Sequence, residues 1–432
     1  MQRPLRAAAL LAFVGAAVLS LAACATAPVA RDGLSAAARD YVVLQMAIGE
    51  KEEGYIDAFY GDPALKAEGK ALAARSDLAA LAARVVALQG RVTRASVEEP
   101  RRAAFLSAQL TAAATRLRML RGEKLPFTEE AQGLFGVRPE LKPLASYDPI
   151  LARIEALVPG DGTLADRVEA YQNRFTIPRD KLDTVFRTAI AACRAATTEH
   201  IALPPSERFD LAFVTGKSWS GYNYYLGDYK SRIEVNTDLP IRLSRAIDLG
   251  CHEGYPGHHV LNALLEERLV KAKGWTEFSV YPLFSPQSLL AEGSANYGID
   301  LAFPGERKAR YEAAVLAPLA GLQAAEVGRY EQLGKLIQDL AGSRNTISQQ
   351  LLDGQIDDAQ AVRLTQRYGL VSEARAKQSV AFTRQYRSYV INYTIGRDMV
   401  ARDIERLPDT KARWARMEQL LSEPTLPSDL KR

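Results

Sequence analysis

The residues best suited to chemistry are concentrated in one short stretch, residues 251–260. Three of the four histidines in the chain lie there, and Glu253 directly follows the first of them, His252. Neutral imidazoles are good ligands for Zn²⁺, and a neighbouring carboxylate can activate a water molecule at the open position of such an ion. The stretch therefore predicts a zinc-dependent hydrolase with one zinc ion per chain, in which Glu253 is the general base.

The spacing of these histidines excludes a regular helix at such a site. In the common zinc-hydrolase pattern the second histidine follows the first at position i+4, but Pro256 occupies that position here. On an unbroken helix His258 would point about 120° away from His252, and His259 would lie about 10 Å further along the axis. The proline and two nearby glycines disfavour a helix. We therefore expect a break that returns either His258 or His259 to His252.

A later helix supplies a candidate third ligand. Ser285 and Pro286 predict the start of a helix that ends before Pro304. Glu292 lies on this helix, and most of the surrounding residues are apolar. A carboxylate on a buried helix needs a partner, and a metal ion would provide one. A polar stripe on a solvated surface is the alternative.

The first 23 residues have the pattern of an export signal, with two early arginines before an apolar run. The run ends in Leu-Ala-Ala followed by Cys24, which resembles a bacterial lipoprotein signal with Cys24 as the lipidated residue. An ordinary signal or an uncleaved anchor is the alternative. Ala25 rather than aspartate follows, which favours a lipid-anchored protein of the outer membrane that faces the periplasm. Residues 24–35 are then a tether.

Composition and patterning predict a single helical domain over residues 36–424. No linker rich in Ser, Gly or Pro divides it, the strands are confined to about 209–236, and residues 425–432 form a tail. Long helices are predicted for 307–341 and 357–407. The signal carries two arginines and no acid, so its removal lowers the formal charge from +4 to +2. That value is too near neutral to indicate nucleic acid.

Two smaller expectations concern single residues of this domain. Asp238 is a plausible cap for the helix that leads to the histidines, with Pro240 in its first turn. Cys193 and Cys251 either pair in an oxidising compartment or remain two buried thiols.

Several motifs, taken in chain order, resemble the bacterial family known as domain of unknown function 885. They are Tyr224-Tyr225, Ile233-Glu234-Val235-Asn236, Leu239-Pro240, His252-Glu253-x-x-Pro256-Gly257-His258-His259, Ala291-Glu292-Gly293 and Tyr393-x-Ile395-Gly396. That family is similar in fold to zinc peptidases of the thermostable-carboxypeptidase type. The resemblance covers most of the chain after the signal. It implies a large, mainly α, zincin-like fold with a deep groove and a small antiparallel sheet beside the metal-binding helix.

The resemblance also implies a set of metal ligands. His252, His258 and Glu292 would bind the zinc, and Glu253 would be the base. His258 matches the Gly-His of the related peptidases, and His259 remains the alternative to it.

Further roles concern the substrate. Tyr393, or an arginine such as Arg384 or Arg387, would stabilise the oxyanion. The strand at 233–236 would be the edge along which a peptide lies. The substrate-binding residues are then Tyr224, Tyr225 and Asn236, although the tyrosines could equally be aromatic core.

The function expected from these patterns is that of a zinc peptidase of the cell envelope. Two alternatives remain open. One is a non-catalytic, metal-containing lipoprotein that binds peptides, and the other is a metal-dependent amidase that acts on cell-wall peptides. An intact Glu253 favours an enzyme, because a structural metal site needs no base.

Overall fold

The computed structural model describes residues 33–97, 99–217 and 219–430. The predicted signal, Cys24, most of the tether and the last two residues lie outside this part of the chain. Within it the protein is mainly helical, with 68% helix and two small sheets. None of the helices described here is long and apolar enough to cross a membrane.

The third of the helices before the larger sheet buries one apolar face. In the third, Asp77 accepts a hydrogen bond from the Ala80 N–H at the start, and the buried residues Leu81, Val85 and Leu88 recur at intervals of four and three. The helices are α1 (Gly33–Gly49), α2 (Pro63–Ala74), α3 (Leu78–Arg94), α4 (Pro100–Leu120), α5 (Phe127–Phe135), α6 (Asp148–Leu157), α7 (Leu164–Asn173) and α8 (Leu182–Thr198).

The larger sheet consists of β2 (Arg208–Val214), β3 (Gly221–Gly227) and β4 (Lys230–Asn236) in the order β2-β4-β3. The prediction of an antiparallel sheet was wrong in part, because β4 pairs antiparallel with β3 but parallel with β2. β3 folds back onto β4 through a tight turn, and β4 then takes the place beside β2. The predicted edge strand at 233–236 is therefore the central strand, and β3 is an edge.

A second sheet was not predicted. It pairs β1 (Ile56–Phe59) antiparallel with β5 (Val280–Pro282). The two strands are more than 200 residues apart in sequence, so no local sequence pattern could predict that they pair. This sheet places β1 near the helix that carries Glu292, because β5 contacts that helix.

The helices after the larger sheet are shorter than expected, because the predicted helices at 307–341 and 357–407 are interrupted by π-helical and 3₁₀ turns. Asp238 does not cap a helix; its carboxylate accepts hydrogen bonds from the Gly216 and Lys217 N–H groups. The helices are α9 (Ser244–Leu249), α10 (His258–Leu265), α11 (Pro286–Ala302), α12 (Arg307–Tyr311), α13 (Ala317–Ala320), α14 (Val327–Leu340), α15 (Ser343–Leu352), α16 (Asp358–Gly369), α17 (Glu373–Tyr386), α18 (Arg397–Glu405) and α19 (Thr410–Ser422).

Two further features concern the cysteines and the predicted tail. Cys193 on α8 and Cys251 form a disulfide, with their Cα atoms 5.3 Å apart. This bond ties α8 to the residue next to His252. In the region predicted to be a tail, Pro427–Asp429 forms a 3₁₀ turn and Leu430 is buried.

Candidate metal centre

The helix of the His-rich stretch is broken between the two histidines that meet. α9 passes into a π-helical turn, Gly250–Gly254, and α10 begins anew at His258. Gly257 makes this close return possible, because a Cβ atom there would lie 1.7 Å from the carbonyl oxygen of His252. The break brings the side chain of His258 back to His252 despite their six-residue separation.

Three side chains converge at this point. The Nε2 atoms of His252 and His258 are 3.1 Å apart. Glu292, on α11, places Oε2 3.2 Å from the first and Oε1 3.7 Å from the second. No other group of three such residues in the described chain brings its ligand atoms this close together.

These separations fit a tetrahedral metal ion. Ligand atoms at about 2.0–2.1 Å from Zn²⁺ lie about 3.3–3.4 Å from one another in a tetrahedron. The buried Glu292 Oε2 has no hydrogen-bond partner in the described chain, which leaves a lone pair for an ion. Two imidazole nitrogens and a carboxylate are also the donor set of catalytic zinc sites. The residues present therefore fit zinc.

A tyrosine that the sequence analysis missed holds the acidic ligand in place. The Tyr389 hydroxyl donates a 2.8 Å hydrogen bond to Glu292 Oε1. Tyr389 lies in a 3₁₀ turn, which the π-helical turn Asn392–Gly396 follows. This π-helical turn packs closely on α11, because a Cβ atom at Gly293 would lie 2.5 Å from the carbonyl carbon of Gly396. In the sequence, the only indication of a role for Tyr389 was its position four residues before Tyr393, because residues four apart lie on the same side of a helix.

His259 points away from this cluster. It is fully buried, its Nδ1 atom lies 2.8 Å from Ser231 Oγ, and its Nε2 atom lies 2.9 Å from Glu207 Oε2. The same carboxylate accepts hydrogen bonds from the Tyr255 hydroxyl at 2.5 Å and from Arg194 at 2.6 Å. Consecutive helical residues point about 100° apart, so His258 and His259 cannot both face the metal site.

Burial and the neighbouring charges set the protonation of the cluster. Burial lowers the pKa of His258 to about 4, so its imidazole is neutral, as a metal ligand must be. Burial would raise the pKa of Glu292, but the close approach of His252 and the nearby His258 lower it overall. Burial raises the pKa of Glu253 to about 7, an effect that His252 partly opposes. These shifts describe the metal-free side chains.

The cluster opens into a cavity of about 940 Å³. Glu253 lines this cavity beside the two histidines. Tyr393 lines it from the π-helical turn, and burial raises the pKa of its hydroxyl well above the usual range, so the hydroxyl keeps its proton. Tyr224 also lines the cavity and is 36% exposed.

Other predicted residues lie outside the cavity. Tyr225 is buried and donates its hydroxyl hydrogen bond to Glu266. The Asn236 side-chain amide donates to backbone carbonyls of the loop before β3. Arg384 is paired with Asp358 and Arg387 with Glu130, so neither arginine faces the metal ligands.

The cavity wall includes residues that the sequence analysis did not single out. The Asn223 side chain, on β3, donates a 2.7 Å hydrogen bond to the Glu253 carbonyl and so ties the edge strand to the π-helical turn. Asp57, on β1, accepts a hydrogen bond from the Tyr222 hydroxyl. Burial raises the pKa of Asp57 to about 6, and that hydrogen bond partly opposes the rise. Asp57 was missed because β1 was not predicted.

Comparisons with known proteins give a fold but no family. No family model matches the chain, and no curated protein matches it. One similar solved structure is the crystal structure of a protein described as "the putative lipoprotein from Colwellia psychrerythraea", with a TM-score of 0.52 and 15% sequence identity over 85% of this chain and 72% of that one. At this identity the likeness shows a shared fold alone. The resemblance to domain of unknown function 885 therefore remains a prediction.

Proposed function

We propose that this protein is a zinc-dependent hydrolase of peptide bonds. One observation carries the proposal: His252, His258 and Glu292 direct their ligand atoms to a common point, where a buried Glu292 oxygen has no hydrogen-bond partner among the described residues. Glu253 lies beside this point in the same cavity. A structural metal site has no need of a carboxylate base or of a cavity of this size.

In this proposal the chain holds the ion and handles the proton. His252, His258 and Glu292 hold the zinc, which when bound supplies a Lewis acid and a water molecule of lowered pKa. The Glu253 carboxylate accepts the proton of the attacking water and delivers it to the leaving amine. The Tyr393 hydroxyl, which keeps its proton, donates a hydrogen bond to the developing oxyanion.

The edge strand β3 is the proposed place for the peptide. Its strand hydrogen bonds in the described chain go to β4, so a peptide strand would pair along its other edge. Trp219, Tyr222 and Tyr224 line the cavity along this strand, with ring centroids 5.5 Å and 4.5 Å apart in succession. This row of rings offers an apolar surface to substrate side chains. β3 thus takes the role of peptide-binding strand that the resemblance had implied for residues 233–236, which form part of the central strand.

The metal is tested first, by mass spectrometry on the purified protein. We expect about one zinc per chain in the wild type, and loss of that zinc in His252→Ala and Glu292→Ala. His200→Ala is the matched control, because His200 stacks on Trp414 away from the cavity and should not affect zinc content. A wild type that takes up no zinc after incubation with the metal would refute the proposal.

Hydrolysis is tested with a mixture of random peptides and mass spectrometry of the products. Glu253→Gln should keep its zinc but lower kcat/KM by about 10²–10⁴-fold, because the water loses its proton acceptor. A wild-type protein that binds zinc and peptides without cleaving them would instead favour the non-catalytic alternative. Release of products only from cell-wall peptides would favour the amidase.

We also propose a lipid-anchored protein of the cell envelope. The export pattern and Cys24 support this location, and one similar solved structure is described as that of a "putative lipoprotein". Labelled palmitate should enter the wild-type protein in growing cells but not the Cys24→Ser variant. Equal labelling of the two proteins would rule out Cys24 as the attachment site.

A further inference from the structure

The cavity contains a carboxylate that the proposed hydrolysis does not use. Asp57, on β1, lines the cavity and is partly buried. Its Oδ1 atom accepts the hydrogen bond from the Tyr222 hydroxyl, whereas no donor in the described chain reaches Oδ2, and no basic side chain there forms an ion pair with Asp57. Burial raises the pKa of Asp57, and the negative charge of Glu292 raises it further. An ionised carboxylate is costly to keep in such a place unless a cation joins it.

The other carboxylates of the cavity differ in this respect. Two of them belong to the proposed metal centre. Glu52 accepts hydrogen bonds on both of its oxygens from Arg116. The Lys308 ammonium lies 2.8 Å from Asp248 Oδ1. Glu53 is exposed, where water and salt screen its charge. Apart from the metal centre, the carboxylate on β1 is thus the partly buried one in the described chain whose charge is left for a ligand.

An irregularity in the small sheet of β1 and β5 sets the position of Asp57. Ile56 and Ala58 pair with two successive residues of β5, so Asp57 between them has no partner in that pairing. Such a bulge turns a side chain out of the regular alternation of a strand. β1 also contacts β3, which carries Tyr222. The carboxylate therefore lies in the cavity wall where the small sheet meets the strand proposed to bind the peptide.

Aromatic rings beside Asp57 suit the same kind of ligand. The Tyr222 hydroxyl holds Asp57, and the Tyr222 ring is the middle one of the row proposed to receive the peptide. The faces of such rings attract cations within about 6 Å of the centroid. The exposed Lys217 already uses this row, with its Nζ atom 5.8 Å from the centroid of Trp219. A carboxylate next to ring faces matches an ammonium group, whereas a metal ion would need further oxygen or nitrogen ligands.

We propose that Asp57 binds an ammonium group of the peptide substrate and so selects peptides that carry one. The inference rests on the proposed function, because it assigns a specificity residue to the same cavity. The Tyr222 hydroxyl occupies one carboxylate oxygen and fixes its orientation, and the other oxygen accepts from the ammonium group. The N terminus of the peptide and a lysine side chain present the same ammonium chemistry, and the experiment distinguishes these two sources.

The test measures which peptides the immobilised, zinc-loaded Glu253→Gln protein retains. The probe is a mixture of random pentapeptides without arginine or histidine, half of them N-acetylated, and mass spectrometry counts the retained peptides. Peptides with an ammonium group should be enriched tenfold or more over N-acetylated peptides without lysine. Enrichment of all peptides with a free N terminus would assign the N-terminal ammonium, and enrichment of lysine peptides whether or not they are acetylated would assign the side chain.

Variants connect that enrichment to Asp57. Adding Asp57→Asn should abolish the enrichment, because asparagine keeps an acceptor for Tyr222 but loses the charge, and Asp57→Glu should restore part of it. Glu52→Gln is the matched control and should keep the enrichment, because Glu52 is already bound by Arg116. Asp57→Asn should also be at least as heat-stable as the parent protein, because it removes a partly buried charge that has no cation beside it.

Retention separates this inference from the proposed hydrolysis, because it is measured in a protein that is not required to cleave. Enrichment that depends on Asp57 would support the inference even if the wild type cleaved nothing. Equal retention of charged and neutral peptides, or retention of neither, would overturn it and leave the zinc site standing. Loss of zinc or a lower melting temperature in Asp57→Asn would assign the carboxylate to the metal or to the fold and would also overturn it.

Discussion

Among single residues, Tyr389 has the clearest consequence for the metal. Its hydroxyl is the hydrogen-bond donor that orients Glu292 Oε1, and its ring packs against Phe135 and Phe284. Tyr389→Phe should keep that packing but lower the zinc affinity by about 10–100-fold, the usual effect of losing a residue that supports a metal ligand. Competition with a chromogenic chelator measures the change.

A second tyrosine provides the control for that variant. The Tyr330 hydroxyl lies 2.8 Å from Ser244 Oγ, and Tyr330 does not line the cavity. Tyr330→Phe also removes one buried hydroxyl, but it should leave the zinc affinity unchanged. Equal affinities in wild type and Tyr389→Phe would show that Glu292 needs no such support.

At the level of elements, the break in the metal-binding helix depends on Gly257. A Cβ atom at this position would lie 1.7 Å from the His252 carbonyl oxygen, a distance that no small adjustment relieves. Gly257→Ala should therefore push α10 away, abolish zinc binding and lower the free energy of unfolding by about 1–3 kcal/mol or more. Zinc content and urea denaturation measure the two effects.

The control for that variant is a glycine with open space around it. A Cβ atom at Gly334, within α14, has no heavy atom within 4 Å. Gly334→Ala should keep zinc and raise the free energy of unfolding by up to about 1 kcal/mol, because alanine favours a helix more than glycine does. If Gly257→Ala retained full zinc, the close return of the chain would not be required for the site.

The network around Glu207 predicts a pH dependence of stability. Burial would raise the pKa of Glu207, but the hydrogen bonds from His259, Tyr255 and Arg194 outweigh it and lower the pKa from 4.5 to about 2. The folded state therefore favours the carboxylate. The Glu207 carboxylate therefore stabilises the folded state above pH 4.5, and this stabilisation is lost as the pH falls toward 2. The pKa shift corresponds to roughly 3 kcal/mol in the free energy of unfolding.

Glu207→Gln tests that contribution in metal-free protein. Its unfolding free energy, measured in urea, should lie below that of wild type at pH 7, and the gap should narrow as the pH falls from 4.5 toward 2. A gap that stays constant with pH would mean that the carboxylate charge of Glu207 does not stabilise the fold.

The elements also show what the sequence could and could not predict. Ser285 and Pro286 predicted the start of the helix that carries Glu292 close to where α11 begins. Three helix-disfavouring residues after His252 predicted the break in the metal-binding helix, but not which histidine returns. That choice depends on Ser231 and Glu207, which lie far from His259 in sequence and engage both of its ring nitrogens.

Across the whole molecule, the elements least accessible to sequence reasoning are those assembled over long distances. In the sequence, β1 precedes the larger sheet and the histidines, and β5 follows them, so their pairing joins distant segments of the chain. This pairing also brings Asp57 into the cavity wall. The order β2-β4-β3 likewise depends on which strand fills the space beside β2. Local patterns encode neither pairing, because each is decided by packing between segments distant in the chain.

The disulfide between Cys193 and Cys251 links two of these distant segments, and its effect on stability can be measured directly. The cysteines are 58 residues apart, and closing a loop of that length stabilises the folded state by about 4 kcal/mol in the chain-entropy model. The double variant Cys193→Ala, Cys251→Ala should therefore unfold at markedly lower urea concentration than wild type. Wild type treated with a reducing agent should unfold like the variant, since both lack the same cross-link. If reduction left the wild-type unfolding midpoint unchanged, the cross-link would contribute nothing to the stability of the chain around His252.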